Sequence, residues 1–79
     1  MEYDKEKVDE VTLAIMWLVT LTDKYGSRAW KTFDWGTLDR LHEKGLISDP
    51  KRKTKSVTLS EEAVELSEKL FNQMFGKAK

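Results

Sequence analysis

Cysteine is absent from this sequence, and proline and histidine occur once each. No disulfide can therefore staple the fold, no thiolate can bind a metal, and the acid-base chemistry of paired histidines is excluded. Formal net charge is zero, so no global field draws the chain to polyanions. A long hydrophobic run is missing too. The longest uncharged stretch, Val11 to Thr22, falls short of the roughly 20 apolar residues that a membrane span needs, and it contains three threonines. The mixed, acidic start Met1-Glu2-Tyr3-Asp4-Lys5-Glu6 is wrong for a secretory or mitochondrial address, and the expected location is the cytoplasm.

What is present is aromatic residues and an uneven distribution of charge. A chain of 79 residues forms one domain, spanning residues 1–79, and buries only about 60 to 65% of its unfolded surface. Its core must then be dense or shared with a partner. Three Trp, three Phe and two Tyr suit the first option, because aromatic side chains bury large areas at low entropic cost. Residues 1–27 carry a net charge of −3, residues 28–55 carry +4, and residues 56–79 carry −1. A basic middle between acidic ends can mark an anion-facing surface.

Periodicity predicts a first helix from Asp4 to about Asp23, with Val8, Val11, Ile15 and Leu18 at three- and four-residue steps as its inner stripe. Leu13, Met16, Trp17 and Val19 lie off that stripe, so this helix is apolar nearly all round. Gly26 is its expected left-handed cap, and Arg28 to Thr32 alternates weakly, as a short edge strand would. Asp34 then reads as an N-cap, with Phe33 before it and Leu38 placed for a hydrophobic staple. A second helix should run from Trp35 to Lys44 and close at Gly45 and Leu46 in a Schellman motif. Leu46-Ile47-Ser48 and Lys55 to Leu59 flank a polar tip, Asp49 to Thr54, as in a β-hairpin. Ser60 caps a third helix with the stripe Ala63, Leu66, Leu70 and Met74, Phe71 and Phe75 beside it, and Gly76 at its end. The final Lys77-Ala78-Lys79 is expected to fray. The expected fold is α+β and mostly α, three helices with a two-stranded β-wing.

The stretch Leu41 to Ala63, LHEKGLISDPKRKTKSVTLSEEA, resembles the recognition helix, wing and following helix of MarR-like winged-helix regulators. Over its whole length the chain also resembles a small bacterial domain family catalogued as a domain of unknown function, with the same FDW…LDRLHEKGLISDPK core. The first resemblance implies a truncated winged-helix domain that binds DNA; the second implies no activity. Only residues 26 to 34 separate the first two helices, too few for an ordinary positioning helix. Either that helix is missing or the first helix takes its place.

Two binding surfaces follow as expectations. Lys51, Arg52, Lys53 and Lys55 at the wing tip could meet the phosphates of duplex DNA, while Thr37, Arg40 and Lys44 share the outer face of the second helix. Solvated cations and pairing of Arg40 and Lys44 with neighbouring acids are the plainer explanations. Leu13, Met16 and Trp17 form a second apolar face that suits a C2 homodimer, unless the other helices cover it. Trp30 and Trp35, flanking Phe33, are either a stacking platform for bases or part of the core. An enzyme is not expected, and neither a cofactor nor a metal is implied. His42-Glu43 lacks the second histidine of a zinc helix, and no glycine-rich phosphate loop occurs.

Overall fold

The computed structural model describes residues 1–77. In chain order the elements are α1 (Lys5–Val19), β1 (Leu21–Asp23), β2 (Gly26–Trp30), α2 (Trp35–Glu43), β3 (Ser56–Leu59) and α3 (Glu61–Phe75). About half of the chain is helical, and the three strands form one antiparallel sheet in the order β1-β2-β3. The expected fraying of Lys77-Ala78-Lys79 falls largely on residues 78 and 79, outside those described.

Each helix starts where a side chain satisfies an orphan backbone donor. Asp4, Asp34 and Ser60 accept from the amides of Lys7, Thr37 and Ala63, each at 3.0 Å. The end of α2 follows the sequence signal closely. Gly45 adopts φ +76°, its amide donates to the His42 carbonyl at 2.9 Å, and the Leu46 amide donates to the Leu41 carbonyl at 3.1 Å. These are the two bonds of a Schellman motif. Phe33 packs, half-buried, against the core that contains the fully buried Leu38.

The first helix departs from expectation. It stops at Val19, and Leu21-Thr22-Asp23 turns back as a strand instead of completing the helix. The hairpin is closed by a two-residue turn, in which the Asp23 carboxylate accepts from the Tyr25 amide at 2.8 Å. Gly26 is no helix cap; its φ of +123° opens β2 directly after turn residues that keep negative φ. Of Arg28 to Thr32, expected as a short edge strand, Arg28 to Trp30 belong instead to the central strand, Gly26–Trp30, with β1 and β3 on either side, and Lys31 and Thr32 lie beyond it. The wing is therefore not a two-stranded unit. Its first arm reduces to one bridge, Ile47 to Leu59, with the Ser48 amide donating to Thr58 at 2.9 Å.

Strand alternation gives the sheet two unlike faces. Ser27, Ala29, Val57 and Leu59 are buried, whereas Arg28, Trp30 and Thr58 face solvent. The buried face joins Leu13, Ala14 and Met16 of α1, Leu38 and Leu41 of α2, Leu46 and Ile47, and Ala63 and Leu70 of α3 in one core. On α1 the expected inside and outside are exchanged. Leu13 and Met16, named as interface residues, are 1% and 0% exposed, while Val11 and Leu18 of the supposed inner stripe are 38% and 63% exposed. Trp17 is half-buried.

Leu13→Ala should cost about 2–5 kcal/mol as a core truncation, lowering Tm by roughly 10 °C or more in a domain this small. Leu18→Ala should stay within about 0.5 kcal/mol. Thermal unfolding of both variants in dilute solution checks the assignment; equal losses would reverse it.

Candidate functional site

The cations expected on the outer face of α2 reach across to α1, Arg40 half-buried and Lys44 still exposed. Asp9 of α1 is only 2% exposed, and the Arg40 guanidinium grips its carboxylate, Nε to Oδ1 and Nη2 to Oδ1 both at 2.8 Å and Nε to Oδ2 at 3.1 Å. Lys44, one turn further along α2, reaches the same carboxylate at 2.9 Å and Glu6 at 2.9 Å. Thr37 is fully buried, accepting from Arg40 at 3.1 Å and donating to Asp34 at 3.0 Å. A polar chain thus runs from the N-cap of α2 to α1, and Arg40 and Lys44 are withdrawn from the candidate nucleic-acid surface. The sequence signal for this existed: Asp9 shares the helical face of Leu13 and Met16, and cations four apart on α2 can converge on one acid.

Burial pushes the Asp9 carboxyl upward, but hydrogen bonds from Arg40 and Lys44, with their charges, outweigh it and hold the group below the usual carboxylate range. Hydrogen bonds from Lys44 to Glu6 and then Asp9 raise the lysine, and the bond to Asp9 raises Arg40.

The wing-tip residues lie elsewhere, on an ordered loop. Asp49 accepts from the Lys51 amide at 2.9 Å through its carboxylate and from the Arg52 amide at 3.3 Å through its carbonyl, while Pro50 is buried. Lys31, just beyond β2, ties the loop down: its ammonium donates to the carbonyls of Pro50 at 2.7 Å and Arg52 at 2.5 Å. The side chains of Lys51, Arg52, Lys53 and Lys55 remain exposed, and among the described residues none of the four forms a salt bridge.

Two tryptophans border that loop. Trp30 projects from the open face of β2, Trp35 opens α2, and they are 54% and 55% exposed. Together with Lys31, Arg52, Lys53 and Lys55 they line a shallow groove of about 600 Å³. Of the aromatic trio only Phe33 joins the core; the indoles do not. His42 is exposed, and its Nδ1 donates to the Ile47 carbonyl at 3.0 Å, a contact that steadies the exit of α2. Among the described residues no group of three or more acids and histidines is placed to hold a metal ion, and no helix is long and apolar enough to cross a membrane.

In class, this is a small α+β domain with a cationic, tryptophan-lined groove between its sheet and second helix. The chain belongs to the family described as Domain of unknown function (DUF6429), whose model matches residues 4–77. It is 48% identical over 75 residues to "Uncharacterized protein y4hR" of Sinorhizobium fredii, which covers 95% of this chain and 97% of that protein. No solved structure matches the chain.

Asp9→Asn leaves Arg40 and Lys44 facing a neutral amide and should cost about 2–4 kcal/mol at neutral pH. Because the folded value of Asp9 is depressed, its contribution is present above the unfolded carboxylate value near 3.9 and disappears as pH falls through the lower folded one. Denaturant melts at several pH values should therefore show an acid limb in the wild-type that is shallower in Asp9→Asn. Superimposable limbs would remove Asp9 from this role.

Proposed function

We propose that this domain is a non-catalytic binding module for nucleic acid, built on a truncated winged-helix-like plan, with the 49–55 loop as its contact surface. The observation that carries the reading is the contrast between two sets of cations. Arg40 and Lys44 are neutralised by Asp9 and Glu6, whereas Lys51, Arg52, Lys53 and Lys55 stand unpaired on a loop held in one shape by Lys31. An ordered loop presents its charges without first losing conformational freedom, which favours contact with a phosphate backbone. The winged-helix plan is supported by the position of β3, which pairs with β2 on one side and bridges Ile47 on the other.

Replacing Lys51, Arg52 and Lys53 together with Glu should abolish retention of a labelled oligonucleotide at low salt while leaving helicity unchanged. If four phosphates of a duplex are contacted, log K should fall against log[salt] with a slope of roughly −3.6. A wild-type protein that retains no oligonucleotide at low salt would sink the reading.

A second reading, self-association as a C2 homodimer, rests on the outward stripe of α1. Val8, Val11, Ile15 and Leu18 follow the three-four-three spacing of a helix seam, and Val11 and Leu18 are well exposed. Two antiparallel copies of α1 would oppose their dipoles and keep Lys7 away from its own copy. Leu18→Glu should convert the dimer to monomer in sedimentation without loss of helix; a monomeric wild-type at tens of micromolar would refute this reading.

A further inference from the structure

We infer that the nucleic acid is recognised as a single strand, with bases stacking on Trp30 and Trp35; the inference rests on the nucleic-acid reading above and assigns its ligand class. A duplex keeps its bases stacked on one another, so a protein reads them along groove edges with a protruding helix or ribbon. The second helix is poorly equipped for that task. Thr37 is buried under it, and Arg40 and Lys44 point to Asp9.

The groove beside the loop has the opposite character. Burying an indole is strongly favourable, yet Trp30 and Trp35 each leave more than half of their surface in water. Nothing in the core requires them there. Trp30 lies opposite Ser56 on the solvent face of the sheet, and Trp35 sits one residue after the Asp34 N-cap, where a polar residue would start the helix equally well. The Lys31 ammonium stands 5.8 Å from the centroid of the Trp35 ring while holding the loop carbonyls, so ring and loop are fixed relative to each other. Flat apolar faces beside free cations are what a single strand needs: its unpaired bases have exposed π-faces and its backbone carries the charge. Arg52, Lys53 and Lys55 supply the second requirement within the same groove.

The test measures binding at low salt to three probes of equal length, about 12 nucleotides: oligo-dT, an abasic oligomer and a blunt duplex. Oligo-dT should bind more tightly than both others and quench tryptophan fluorescence. Trp30→Ala and Trp35→Ala should each weaken oligo-dT by about 5- to 150-fold, the span expected for one stacked base. The abasic oligomer should be indifferent to these changes, and Trp→Phe at either position should restore most of the loss. Because both side chains are half in solvent, circular dichroism should show unchanged helicity. Equal binding of all three probes with no effect of the alanine variants, or a preference for the duplex, would overturn the single-strand assignment and leave the nucleic-acid reading standing. Failure of every probe to bind would overturn both.

Discussion

A carboxylate with 2% of its surface exposed is tolerable only if its charge is answered, and Asp9 is answered twice over by Arg40 and Lys44. The contact joins α1 to α2 across 31 and 35 positions of sequence, and its geometry fixes the rotation of both helices. With Asp9 inward, Leu13 and Met16 on the same face must also turn inward, and they become two of the largest fully buried side chains. With Arg40 and Lys44 committed to Asp9, α2 keeps few cations for anything outside. Both the facing of α1 and the commitment of the second helix's cations follow from that one ionic junction.

The junction also divides the surface. On one side α1 exposes Val11 and Leu18 of one apolar stripe, with Val19 beside it. On the other, the open face of the sheet, the 49–55 loop and the start of α2 gather two indoles and several cations into one groove. The sheet order explains the grouping. With β2 central, its last residue Trp30 lies beside the start of β3, and the loop preceding β3 is brought against Lys31.

Local signals in the sequence carried through to the structure where the chemistry itself is local. Asp34, Gly45 and Ser60 act within four or five residues, so capping and the Schellman closure could be placed from residue types alone. The facing of α1 could not be. A helix apolar nearly all round gives periodicity no preferred side, and the choice was made by Asp9, whose partners lie far along the chain. The β1–β2 hairpin was hidden for a similar reason, since Leu21 continues the spacing of Leu18 and only pairing with Arg28 makes it a strand. Clustering of Trp30, Phe33 and Trp35 was legible; that Phe33 alone enters the core depends on strand alternation and the staple together.

Neutral overall charge and a polyanionic ligand are compatible once the placement of the acids is considered. At ordinary ionic strength charges act over about 10 Å, so the strand proposed to bind there would sense those around the groove and not the total. Asp34 and Asp49, the acids nearest the groove in sequence, keep their charge but turn their carboxylates to local donors, Asp34 to Thr37 and Asp49 to the Lys51 amide. Asp9 and Glu6 spend their charge on α2's own cations, and Asp23 pairs with Arg28 on the hairpin. What stands beside Trp30 and Trp35 is a local excess of positive charge from Arg52, Lys53 and Lys55, which comes from the clustering of basic residues in the middle of a chain that is neutral overall.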